Sequence, residues 1–145
     1  MTFVLDCSVT MTWVFEDETK EEAEHILRSL PETGAFVPPL WFYEVSNVLV
    51  SAERRKRLTK ADSNRFITLL LKLPINVDHS PLNMSEVMTI SRDFELSAYD
   101  STYLELSLRT GLPLATFDQK LIGAAQEMGV KLYSCLLYTS DAADE

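Results

Sequence analysis

The chain has 145 residues, of which 46% are hydrophobic and 24% charged. That is the composition of one globular domain with its own core, and it excludes a disordered tail, a collagen-like chain and a disulfide scaffold. Acidic residues outnumber basic ones 22 to 13, for a net charge of −9, so the surface as a whole repels nucleic acid unless cations or a local basic patch intervene.

Elements alternate along the chain. Phe3-Val4-Leu5 is a short apolar run ending at an acid, hence a buried strand. Ser8–Phe15 reads as a short helix. Thr19–Leu30 is amphipathic, with Ala23, Ile26, Leu27 and Leu30 on one side, and Pro31 to Gly34 should end it. Ala35–Val37 is a second strand, closed by Pro38-Pro39. Leu40–Arg55 and Lys60–Leu73 are helices, and Pro74 breaks the latter. Ile75–Val77 is a third strand. Ser85–Phe94 and Tyr99–Arg109 are helices, the second stopping at Gly111. Leu112–Thr116 is a fourth strand, Lys120–Met128 a helix stopped by Gly129, and Val130–Tyr133 a fifth strand. Such alternation indicates βαβ units and a parallel sheet covered on both faces.

The segment Cys135–Glu145 breaks this pattern and resembles the translation of a sequencing adapter. The expected organisation is one domain over residues 1–134 and a non-native tail over 135–145. Cys7 and Cys135 lack C-x-x-C spacing, which argues against a disulfide framework or a cysteine zinc site. The start of the chain has no basic leader, and the apolar runs are too short to span a bilayer. The expected location is a reducing cytoplasm.

The informative residues are acids at the ends of elements. Asp6 ends the first strand, where it could simply cap the following helix. Glu44 lies beside the apolar stripe of its helix, where a carboxylate must find donors, find a cation or reach water. Asp100 follows Ser97 by three residues, as in a capping box, and Asp118 could cap the last helix. Each acid alone has a structural explanation. Jointly, two follow strands and two start or line helices, so a central strand pair could bring all four to one edge. Carboxylates gathered there repel one another unless a divalent cation holds them, and oxygen-only ligands suit Mg²⁺ or Mn²⁺. Such a site suits hydrolysis of a phosphodiester.

Four stretches resemble the acidic motifs of PIN-domain ribonucleases, specifically the VapC-type toxins of toxin–antitoxin pairs. They are Val4-Leu5-Asp6-Cys7-Ser8, Pro39 to Leu49 around Glu44, Leu96 to Leu106 around Asp100, and Leu114-Ala115-Thr116-Phe117-Asp118. The resemblance covers residues 1 to about 134. Ser101 departs from it, standing where alanine is common. It implies a three-layer α/β/α sandwich around a mostly parallel five-stranded sheet. It also implies a Mg²⁺ or Mn²⁺ site with Asp6 and Asp100 as principal ligands, completed by Glu44 and Asp118. Ser8 and Thr116 would hold carboxylates or bound water. The implied activity is metal-dependent endoribonuclease cleavage of RNA, leaving a 5′-phosphate and a 3′-hydroxyl. The implied partners are a second copy of the chain and a cognate antitoxin that blocks the site. An inactive PIN-like scaffold that only binds its partner is the alternative.

Other features are weaker. Arg54, Arg55 and Arg57, with Lys56, form the basic cluster. They could contact RNA phosphates or simply complement a helix C-terminus. His25 and His79 have no partner at metal-ligand spacing and read as structural. Cys7 reads as a small buried residue, not a nucleophile. Trp13, Phe15, Trp41, Phe42 and Tyr43 read as core, with partner contact as the other possibility. A receiver domain or a haloacid-type phosphatase would need a second acid close after Asp6, where Cys7 and Ser8 stand.

Overall fold

The computed structural model describes residues 1–15 and 21–133. Thr19 and Lys20, the expected start of the second helix, lie outside them, as does the whole of the segment 135–145. In chain order the elements are β1 (Phe3–Leu5), α1 (Cys7–Thr12), α2 (Glu21–Thr33), β2 (Ala35–Val37), α3 (Leu40–Arg54) and α4 (Lys60–Leu70). They continue with β3 (Ile75–Val77), α5 (Met84–Phe94), α6 (Ala98–Thr110), β4 (Leu114–Ala115) and α7 (Gln119–Met128). The result is an α/β fold whose parallel sheet is flanked by helices.

The sheet order is β3-β2-β1-β4, with every pairing parallel. Phe3 and Val4 pair with Ala35 and Phe36 on one side of β1, and Val4 and Leu5 pair with Leu114 and Ala115 on the other. All three β1 side chains are fully buried, as a strand covered on both faces requires. The chain steps outward from β1 through β2 to β3, then returns to lay β4 on the opposite side of β1. That reversal opens a crevice beyond the carboxyl ends of β1 and β4, where ligands bind in open parallel sheets.

The expected fifth strand is not formed as such. Val130–Tyr133 contributes a single parallel bridge, Leu132 to Leu114, with Leu114 N donating to Lys131 O and Tyr133 N donating to Leu114 O. The reason lies in its neighbour. β4 is only two residues long, because Pro113 lacks an N–H and the chain after Ala115 turns into the crevice. A second correction concerns Pro31, which stands inside α2 instead of ending it. Its missing N–H forfeits one bond to the Leu27 carbonyl, a cost that the burial of Ile26 and Leu30 offsets. The helix ends at Gly34, whose φ of +65° suits glycine and whose N–H donates to Leu30 O.

The helices that shape the crevice follow from their stripes. α3 buries Trp41, Val45, Leu49 and Ala52, one face of a 3.6-residue repeat. Trp41 Nε1 donates to Thr10 Oγ1 at 3.0 Å and so ties α3 to α1. Phe15 is also buried, whereas Phe42 and Tyr43 face outward, so the expected aromatic core holds for part of that set. α6 buries Tyr103, Leu104 and Leu106 and packs against β1.

Candidate active site

Asp6 stands one residue past β1, at the N-terminus of α1. Its side chain does not cap that helix. Instead Oδ2 accepts two hydroxyls, from Ser8 Oγ at 2.6 Å and Thr116 Oγ1 at 2.7 Å. Each hydroxyl oxygen in turn accepts a backbone N–H of the segment after β4: Phe117 N to Ser8 and Asp118 N to Thr116. The ends of β1 and β4 are thus clamped through one carboxylate oxygen. Asp6 is only 5% exposed and has no cationic partner among the described residues. Burial pushes its pKa above the usual carboxylate range, the two hydroxyl bonds pull it back, and the charge of Asp100 pushes it up again.

Glu44 is half-buried on α3. Its Oε1 accepts the hydroxyl of Tyr103 on α6. Its pKa is raised, by burial first and then by Asp6 and Asp100, against the Tyr103 bond. Asp100 lies in the first turn of α6, where its backbone N–H donates to the cap residue Ser97. Its pKa is raised by burial and by Asp118, and lowered by Ser97 and Lys120. Asp118 does cap a helix: Oδ1 accepts from Lys120 N and Leu121 N at the start of α7. The structure therefore brings the four acids into one mutual field at the sheet's switch point. Cys7 shares it. Its thiol is pushed up to about 12 by burial, Glu44 and Asp6, which leaves it protonated and inert.

Tyr103 and Lys120 were not singled out by the motifs. Tyr103 follows Asp100 by three residues and so shares its helix face, a spacing that could have flagged it. Lys120 belongs to the first turn after Asp118.

Among the described residues, no three His, Cys, Asp or Glu side chains are gathered closely enough to enclose a metal ion. The fit of a divalent cation rests on other grounds. A buried carboxylate has no cationic partner among the described residues, further carboxylates raise pKa values around it, and the donor set is oxygen only. Mg²⁺ or Mn²⁺ needs one or two carboxylates directly and completes its shell with water, so an open arrangement suits it.

An open groove of about 730 Å³ leads away from Ser8 and Phe117 between α1 and α3. Arg55 and Arg57 line its far end, while Arg54 does not line it. The Arg57 guanidinium sits 4.2 Å from the ring centre of Phe15. The histidines are remote: His25 is 3.8 Å from Glu21 on the surface of α2, and His79 is exposed beyond β3.

A parallel α/β sheet with a carboxylate cluster at its switch point defines a class of acidic-site α/β proteins. Within that class the chain belongs to the PIN domain family, which matches residues 3–127. The fold is shared with PAE2754 from Pyrobaculum aerophilum, at 22% identity and a TM-score of 0.68 over 86% of this chain and 84% of that one. VapBC2 from Rickettsia felis, solved bound to a DNA fragment from its promoter, gives 10% identity and a TM-score of 0.68 over 92% and 98%. VapC20 of Mycobacterium tuberculosis, a sarcin–ricin loop cleaving toxin, gives 14% identity and a TM-score of 0.59 over 86% and 95%. No curated protein matches the sequence. Among the described residues no helix is long and apolar enough to cross a membrane.

Proposed function

We propose that the chain is a Mg²⁺- or Mn²⁺-dependent endoribonuclease, the toxin of a toxin–antitoxin pair. In this reading residues 1–134 form the nuclease module, which works in the cytoplasm as a homodimer and is silenced by a cognate antitoxin. Membership of the PIN domain family supports nuclease chemistry. Similarity of fold to a sarcin–ricin loop cleaving toxin, to VapBC2 and to a toxin–antitoxin complex from Klebsiella pneumoniae supports the biological setting.

The observation that carries the reading is Asp6. A carboxylate this buried, clamped by two hydroxyls and facing other acids, is costly in an inert fold and useful at a cation site. Asp6 and Asp100 would hold the ion, with Glu44 and Asp118 completing the site directly or through water. When bound, the ion supplies water activation and charge stabilisation for hydrolysis of a phosphodiester. Ser8 and Thr116 fix the rotamer of Asp6, and Tyr103 fixes that of Glu44. Asp118 is held by the amides of α7, so it cannot swing out of the crevice without uncapping that helix.

The test is incubation of the purified, antitoxin-free chain with total RNA and Mg²⁺ or Mn²⁺. Discrete cleavage that is lost with EDTA and with Asp100→Asn supports the reading. A folded chain that neither cuts RNA nor binds Mn²⁺ in a calorimeter overturns it. The inactive scaffold would then stand.

A further inference from the structure

α1 and α3 both start near the acids and run away from them, and the groove lies between them. Its near end is Ser8 and Phe117, beside Asp6 and Asp118. Its far end is Arg55, at the C-terminus of α3. Between them Asn47 and Ser51 line the same wall. Asn47, Ser51 and Arg55 are spaced four residues apart, so they form one ridge of the helix, and Glu44 opens it a turn earlier. The distance from Glu44 to Arg55 is ~16 Å along the axis at the helical rise.

Charge gives this ridge its meaning. The chain carries a net charge of −9, yet Arg55 is exposed on the groove and has no ion-pair partner among the described residues. An unneutralised guanidinium at the end of a groove whose floor is apolar, with Met11, Phe15 and Val48, and whose α3 ridge is polar, with Asn47 and Ser51, suits a phosphate with a base or ribose beside it. We propose that the α1–α3 groove is a track for a single RNA strand. Arg55 takes a backbone phosphate a few nucleotides from the scissile bond, and Asn47 and Ser51 contact the ribose or base between. This rests on the nuclease reading above and adds a register to it: α3 acts as a ruler between the cut and a distal phosphate. Asn47 and Ser51 then become specificity-determining positions, because an amide and a hydroxyl reward only nucleotides that pair with them.

The experiment uses the full chain with Ca²⁺ in place of Mg²⁺ and fluorescein-labelled oligoribonucleotides of mixed sequence, titrated across a series of salt concentrations. Loss of one phosphate contact should weaken binding by Arg55→Ala roughly tenfold and flatten the log–log salt slope by about 0.7, the value per phosphate for a single strand. Arg55→Lys should retain the slope. Asn47→Ala should weaken binding with the slope unchanged, since its contact releases no counterion. Arg92→Ala, an exposed arginine on α5 off the groove, should leave both quantities as in the wild type. All three positions are exposed, so folding is not at stake. If Arg55→Ala binds with wild-type affinity and slope while the wild type binds and cleaves RNA, the track is overturned and the nuclease reading survives. If the wild type neither binds nor cleaves RNA, both fall, and the groove is left to a protein segment.

Discussion

Tyr103 on α6 donates its hydroxyl to Glu44 on α3, across 59 residues of sequence. The tyrosine is fully buried, and burial together with the neighbouring acids keeps its hydroxyl protonated. It can therefore act only as a donor to that carboxylate. Tyr103→Phe keeps the ring and removes the donor, leaving Glu44 free to turn toward water. The lost charge-assisted bond is worth about 1.5–3 kcal/mol, shared between orientation and stability. Cleavage at limiting Mn²⁺ should fall about tenfold, with Tm shifted by a few degrees at most. In a Glu44→Gln background the same change should add little, because both substitutions act on one contact. Additive losses in that cycle would show that Tyr103 acts elsewhere.

The double hydroxyl clamp on Asp6 makes a different prediction. Ser8→Ala removes a donor from the carboxylate and also an acceptor from the Phe117 N–H. Thr116→Ala does the same to Asp6 and the Asp118 N–H. Each should cost about 1–3 kcal/mol of stability and lower cleavage together. Thr116→Ser restores the hydroxyl and should recover both. Chemical denaturation beside an RNA-cleavage assay checks this, and a Thr116→Ser variant as weak as Thr116→Ala would contradict it.

Asp6, Glu44 and Asp100 all have pKa values raised above those of the unfolded chain. The folded state therefore holds their protons longer than the unfolded state does. Between the unfolded pKa of about 4 and the raised folded values, stability must fall as pH rises. In EDTA, Asp6→Asn removes the most deeply buried of these carboxylates. Near pH 4 a protonated Asp6 and an asparagine are nearly equivalent, so the two Tm values should converge. Toward pH 7 the variant should melt several degrees above the wild type. Added Mn²⁺ should raise the wild-type Tm and not that of Asp6→Asn. A Tm gap that does not grow with pH would mean that Asp6 ionises without penalty.

Much of this architecture is legible along the chain because the first two strands end in punctuating residues, Asp6 after β1 and Pro38 after β2. Asp6, Asp100 and Asp118 stand out for the same reason, each at an element end, and Glu44 stands out as a carboxylate beside an apolar stripe. What could not be read depends on partners distant in sequence. The final segment, Val130–Tyr133, has strand-like residues, but its ladder is limited by the two residues that β4 can offer. Pro31 looks like a helix terminator, yet Ile26 and Leu30 anchor the helix in the core on the turn before it, and their burial offsets the missing bond. The Tyr103–Glu44 pair and the field joining the acids follow from sheet order and from the packing of α6, which spacing alone does not reveal. Asp118 shows both readings at once: it caps α7, as its position suggests, and still faces Asp100.

A last prediction separates the fold from the site. Glu105 on α6 is 2% exposed, and Arg109 one turn later binds it through two bonds, of 2.8 and 3.0 Å. Arg109 also reaches Asp78 beyond β3 at 2.9 Å, so one guanidinium joins the middle of α6 to the far edge of the sheet. Burial pushes Asp78 up, but the bond and charge of Arg109 together with the bonds from Ser80 outweigh it and leave that carboxylate below its usual value. Arg109→Ala strands a buried charge on Glu105, a change that costs about 3–5 kcal/mol when one member of a buried pair is removed. Partial exposure of Arg109 places the expected loss at the lower end. Adding Glu105→Gln removes the stranded charge and should recover more than half of it. Neither residue faces the carboxylate cluster, so at temperatures where both variants are folded their Mn²⁺ dependence of cleavage should match the wild type. A shifted metal dependence in folded Arg109→Ala would tie this triad to the site; an unshifted one with a depressed Tm assigns it to holding α6, and with it Asp100 and Tyr103, against the sheet.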